Sequence, residues 1–170
     1  MKIITKSFGN DSRSAVVTYG DKASIVASFD QFPNIPDFLE AVGNLTQGKD
    51  SSGKGRLDEA VNLAIRDVFP KSRLGVSKLA VALFGGKQTT GPNALELKQA
   101  FEASRKAGIR MLPVGVGKDM KVEEWSSLVE RKQDVLQVDN SQDLTLKVQE
   151  IAASICRAAG KNMHEWMLLS

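Results

Sequence analysis

Few stretches of this chain carry residue types that chemistry needs at a useful spacing. The most telling is Lys78-Leu79-Ala80-Val81-Ala82-Leu83-Phe84-Gly85-Gly86-Lys87. Leu79–Phe84 is an unbroken apolar run, which reads as a strand buried on both faces. In open α/β sheets ligands sit beyond the carboxyl ends of the strands, so Gly85–Thr90 is the first place to look for a site. Gly85 and Gly86 offer a metal or substrate no side chain there. Gly48-Lys49-Asp50-Ser51-Ser52-Gly53-Lys54-Gly55 comes close to the phosphate-loop pattern G-x-x-x-x-G-K-[ST]. Its last position, Gly55, has no hydroxyl for magnesium, and the stretch follows a predicted helix where the motif needs a strand. A surface loop is the plainer reading.

Gly115-Val116-Gly117 lacks the third glycine of a dinucleotide fingerprint and reads as a strand end with tight backbone packing. Asp58-Glu59 and Glu123-Glu124 are adjacent acids on predicted helices. Neighbouring helical side chains diverge, so both pairs read as solvated faces and not as acid/base sites. Cys156 and His164 are the only cysteine and histidine, on distant segments, and make neither a triad nor a zinc site. Cys156 fits a small buried apolar residue near a helix end, or half of a disulfide whose partner lies outside the chain. No reaction type emerges from these residues.

The 170 residues suit one domain, and 42% apolar with 25% charged residues is an ordinary globular balance. A net charge of +3, with no basic stripe and only 6% aromatics, argues against nucleic acid. No run of about 18 apolar residues is present to cross a membrane, and Met1–Phe8 has no apolar core of a secretory signal.

The elements that must position the glycine-ended strand follow from periodicity. Met1–Phe8 reads as the last turns of a helix. Ser14–Tyr19 and Ala23–Phe29 read as antiparallel strands joined by Gly20-Asp21-Lys22. Pro36 opens a helix over Asp37–Leu45, and Thr46–Gly55 is a loop. Arg56–Phe69 has Leu57, Ala60, Val61, Ala64, Ile65 and Val68 on one face and stops at Pro70. A helix from Pro92-Asn93 to about Ala107 ends at Gly108. Strand Ile109–Val116, helix Lys121–Arg131 and strand Val135–Val138 follow. A last helix begins at Asn140 or Ser141, with Leu144, Val148, Ile151, Ala152 and Ile155 inward. Lys161–Ser170 has no evident role. The alternation predicts an open, mostly parallel α/β sheet with helices on both faces.

These segments together resemble a von Willebrand factor A domain. The resemblance is carried by Gly55–Val61, by Val81–Thr89, by Ala107–Gly117 and by Val138–Leu144. It spans about Met1–Ala158, leaving 159–170 as a tail, and is nearest to matrix A domains of collagen VI and matrilin type. It implies a doubly wound sheet with an antiparallel edge strand, and an extracellular, non-enzymatic adhesion module without a cofactor. The partner it implies is a protein ligand such as collagen or another matrix protein. The ligand face would be formed by loops holding Ser51, Ser52, Gly55, Gly85 and Lys87. It also implies that Cys156 closes a disulfide.

Ligand binding in this family often uses a metal-ion-dependent adhesion site, built from an Asp-x-Ser-x-Ser loop, a Thr and an Asp. Here the first strand and its loop are absent, Gly55 stands at the Thr position, and Phe84-Gly85 replace the Thr-Asp of Thr-Asp-Gly. Magnesium wants near-octahedral oxygen ligands, usually with a carboxylate, so no divalent-metal site is expected. The absent strand would be central. Losing about four or five large apolar side chains removes on the order of 10 kcal/mol, comparable to a domain's net stability, and opens two strand edges. Low stability or self-association is the expectation, unless Met1–Phe8 or a partner strand fills the slot. A nucleotide-binding or enzymatic doubly wound protein, and a truncated isoform that only pairs with an intact partner, are the competing readings.

Overall fold

The computed structural model describes residues 13–20, 22–32, 36–38, 40, 55–85, 94–118, 120–140, 143, 147, 150, 153 and 164–169. The expected helix over Met1–Phe8, the loop residues Ser51 and Ser52, Lys87, Cys156 and most of the last expected helix lie outside them.

The strands are β1 (Arg13–Tyr19), β2 (Ala23–Ala27), β3 (Ser77–Gly85), β4 (Ile109–Val116), β5 (Leu136–Val138) and β6 (His164–Leu169). They form one sheet in the order β2-β1-β6-β3-β4-β5. Only β1 and β2 run antiparallel, with a register shift between Val16 and Val17. The β1–β6, β6–β3, β3–β4 and β4–β5 pairs are all parallel.

The empty centre expected from the sequence is not found. β6, the last strand of the chain, lies parallel between β1 and β3. Arg13–Val17 pair with Glu165–Leu169, and Ser77–Ala82 pair with His164–Leu169. The residues left without a role in the sequence thus supply the central ladder, and the premise behind the expected instability is removed. Neither Met1–Phe8 nor a second chain is required to fill the slot.

The apolar run of β3 is explained by its two faces. Ala80, Ala82 and Phe84 join a core cluster with Ala15, Val17, Ile109 and Met111. Leu79 and Val81 join the cluster of the opposite face with Val16, Leu112 and Val114. The period of two along each strand sends alternate side chains to the two faces. Helices α1 (Leu57–Leu63) and α2 (Ala94–Lys106) cover the first face through Leu57, Ala60, Val61, Leu97, Ala100 and Phe101. On the second face lies Phe38, from helical residues 36–38.

The expected helix Arg56–Phe69 is α-helical only as far as Leu63. It loosens into a π turn at Ala64–Val68 and tightens into a 3-10 turn at Phe69–Lys71. Pro70 has no N–H to continue the ladder. The expected helix Lys121–Arg131 shortens to α3 (Val122–Ser126). Past Ser126 the backbone tightens to i→i−3 bonds, Ser127 N–H to Glu124 O at 3.3 Å and Leu128 N–H to Trp125 O at 3.0 Å, while Ser126 Oγ donates to Val122 O at 2.7 Å and Ser127 Oγ to Glu124 O at 2.6 Å. Such local bonds compete with the helical ladder. Gly108 ends α2 as expected, at φ 71°, with its N–H on Arg105 O at 3.0 Å.

Candidate functional site

Because β1, β6, β3, β4 and β5 run the same way, their carboxyl ends form one edge: Tyr19-Gly20, Leu169, Gly85, Val116-Gly117 and Val138. Gly85 is exposed there. A Cβ built on it would meet only Val116 O, at 3.8 Å. Among the described residues nothing clashes with a Cβ at this position, and glycine supplies no side-chain donor there.

Gly115 and Gly117 behave differently. A Cβ on Gly115 would lie 2.2 Å from Met120 Sδ and 3.2 Å from Phe84 Cε2. That is the tight packing expected at this strand end. Gly117 turns the chain at φ 115°, a region closed to most side chains. Its N–H donates to Val138 O at 2.8 Å, and its carbonyl accepts from Gln137 Nε2 at 2.9 Å. Below this corner Phe84 stacks on Trp125, centroids 4.0 Å apart, and Phe101 meets Trp125 edge-on at 5.8 Å. The three rings make a rigid floor under the strand end.

Gly55 leads into Arg56, whose N–H donates to Gly20 O at 2.9 Å, tying the start of α1 to the end of β1. The Arg56 guanidinium then forks onto Asp58, Nε to Oδ1 at 2.9 Å and Nη2 to Oδ2 at 2.7 Å. It also reaches Glu59 at 3.3 Å. Hydrogen bonding to Asp58 holds the guanidinium above its already high value. The reading of Asp58-Glu59 as a solvated pair is therefore corrected at Asp58, which is 3% exposed. Its partner stands two residues earlier in the chain.

The second buried acid, Asp134, takes the Arg110 fork at 2.6 and 2.7 Å beside the amino end of β4. Both buried carboxylates among the described residues are thus occupied by arginine, and a cation would have to break a bidentate pair to reach either. No group of three His, Cys, Asp or Glu among the described residues could hold a metal ion. With glycine at positions 55 and 85, the donors among the described residues do not fit the octahedral oxygen cage of a metal-ion-dependent adhesion site.

Tyr19 was not singled out in the sequence. Its hydroxyl donates to Leu83 O at 2.7 Å, joining β1 to β3 just past the last paired residue of β6. Burial pushes its phenol well above the usual tyrosine value. Beside the same edge, the start of α2 and α3 enclose a recess of about 380 Å³ lined by Ala94, Leu95, Lys98, Glu124, Ser127 and Leu128. Leu95 is 65% exposed on its wall.

An open, mostly parallel sheet wound this way, with core packed on both of its faces, defines a doubly wound α/β domain. The von Willebrand factor type A domain matches residues 1–151. The chain belongs to that family, whose members are generally non-enzymatic modules for protein–protein interaction and adhesion.

Among solved structures it is similar to proximal thread matrix protein 1 of the mussel byssus. One crystal form gives a TM-score of 0.79 at 13% identity, covering 91% of this chain and 41% of that one. A structure of the same protein with zinc occupying its adhesion-site motif gives 0.73 at 13% identity, covering 85% and 36%. A von Willebrand factor type A protein from Catenulispora acidiphila gives 0.65 at 17% identity, covering 89% and 35%. The likeness at these identities is one of fold, and the chain spans well under half the length of the proteins compared. Curated proteins give no match. No helix among the described residues is long and apolar enough to cross a membrane.

Proposed function

We propose that this chain is a non-enzymatic adhesion module of an extracellular matrix type, and that it binds a protein ligand without a divalent cation. The observation that carries the reading is the donor set at the carboxyl edge. Gly55 and Gly85 contribute no side-chain oxygen, and Asp58 is held by Arg56. In proximal thread matrix protein 1 zinc occupies the corresponding motif; here the charge beside Gly55 is a guanidinium. Recognition then rests on shape and on neutral and paired groups. The recess between α2 and α3, lined by Leu95, Leu128, Lys98 and Glu124 among others, is the concave surface assigned to that face.

The test is binding of the purified chain to immobilised collagen and other matrix proteins, with and without a chelator. Saturable binding that survives the chelator and weakens on Leu95→Asp supports the proposal. Binding abolished by the chelator contradicts it. So does a thermal shift of several degrees with ATP, GTP or NAD, which points to the nucleotide-binding alternative.

A further inference from the structure

We propose that the amino-terminal edge of the sheet is a second binding surface, and that it takes a sulfated glycosaminoglycan. Its centre is the corner where β4 begins. The turn at Gly108 delivers the last two residues of α2, Arg105 and Lys106, to that corner. The Arg110 fork onto Asp134 ties the 3-10 turn Lys132–Asp134, and Arg131 before it, to the same place. Arg105, Lys106, Arg131 and Lys132 are all exposed. None of the four has an ion-pair partner among the described residues.

Acids do not balance them. Asp134 is given to Arg110, and Glu102 and Glu130 are the carboxylates that remain beside these four cations. Farther along the edge, Arg13 and Lys78 flank Glu165 in register across β6, so the excess of positive charge sits at the β4 corner. The opposite edge is balanced locally. There Arg56 holds Asp58 and reaches Glu59, and Lys121 reaches Glu124 at 3.3 Å. No basic stripe is legible along the chain because the four cations come from two segments remote in sequence, which the fold brings together.

The chemistry of the corner selects the partner. Screening over about 8 Å at physiological salt leaves a small anion little to gain from exposed cations. A polymer with repeated charges engages several of them at once, and each contact makes the next one intramolecular. Residues 102–110 and 127–138 include no aromatic residue, so the corner has no platform on which a nucleic-acid base could stack. A sulfated polysaccharide needs only the point charges. Preferring it to a nucleic-acid backbone also rests on the matrix reading above; the surface itself does not. The eight residues of β4 set this edge roughly 25 Å from the carboxyl edge, so the two partners do not compete for space.

The test is an anisotropy titration of the intact chain with a fluorescent heparin oligosaccharide, at low salt and at about 0.15 M salt. Saturable binding at both, weaker at the higher salt, is the expected result. Lys106→Gln combined with Lys132→Gln removes two of the four charges from exposed positions and should weaken binding about tenfold. Lys22→Gln combined with Lys118→Gln removes the same charge from exposed positions at the carboxyl edge and should change it by less than about twofold. Equal weakening by the two pairs, or no saturable binding at about 0.15 M salt, overturns the site. A single-stranded oligonucleotide that displaces heparin as well as unlabelled heparin does overturns the choice of partner. The Lys106→Gln, Lys132→Gln chain should keep its binding to collagen, so failure of the protein-ligand reading and failure of this one appear in separate assays.

Discussion

Tyr19 is the only tyrosine of the chain, which makes one hydrogen bond unusually easy to interrogate. Its hydroxyl bridges β1 to β3 at 2.7 Å past the tip of β6. Tyr19→Phe removes that bond with little change of shape, so the loss near neutral pH should be about 1 kcal/mol. In a chain of this size that is a fall of about 2–4 °C in Tm. At high pH the sign reverses. Burial raises the folded phenol above the unfolded value of about 10. A raised pKa adds stability that is fully present below the unfolded value and is lost as pH rises past it. Above about pH 10 the unfolded chain releases the proton and the folded chain keeps it, so Tyr19 lowers stability by about 1.4 kcal/mol per pH unit. The variant lacks this limb, while all other titrating groups are common to both proteins. The two stability curves should cross a little less than one unit above about pH 10. Urea unfolding across that range measures the curves, and phenolate absorbance of native protein reads the group directly. Parallel curves, or native phenolate appearing at the unfolded value, would refute the buried bridge.

Four further outcomes follow from the same structure. Asp134→Asn takes the fork from Arg110, whose side chain is 15% exposed, and should lower stability by about 3 kcal/mol in urea unfolding. Asp58→Asn should cost less, about 1 kcal/mol, because Arg56 is 31% exposed and keeps Glu59; equal losses would contradict the burial argument. Gly115→Ala places a methyl against Met120 and should cost about 1–3 kcal/mol. The penalty should shrink in a Met120→Ala background, which a double-mutant cycle on Tm measures. Met167→Pro removes an N–H from the central strand and should cost more than about 2 kcal/mol; a melt unchanged from the parent would show that β6 is not part of the sheet.

The parallel core was legible because its signals are local. The uninterrupted run Leu79–Phe84 states that both faces are covered, and Gly108 at φ 71° ends α2 where the sequence placed a stop. The start of α1 was legible in the spacing of Leu57, Ala60 and Val61, but the π turn from Ala64 was not. A loosened turn changes the backbone bonding while leaving the apolar spacing almost intact. α3 was read too long because nothing in the pattern marks where the backbone tightens to i→i−3 bonds past Ser126, where Ser126 and Ser127 also take helix carbonyls.

β6 could not be read at all. Its six residues pair with β1 and β3, remote in sequence from one another and from β6 itself, and no periodicity within the tail encodes that partnership. At the site, the missing oxygen donors were visible as Gly55 and Gly85. The pairing that neutralises Asp58 was not, because a charge beside a helix start looks the same in sequence whether it is solvated or buried.

The central claim is that the ligand face works without a bound cation. Calorimetric titration of the intact chain with magnesium and then manganese tests it most directly. The donor set at Gly55, Arg56, Asp58 and Gly85 predicts only heats of dilution for both ions. A saturable isotherm in the micromolar range, lost on Asp58→Asn, would contradict it.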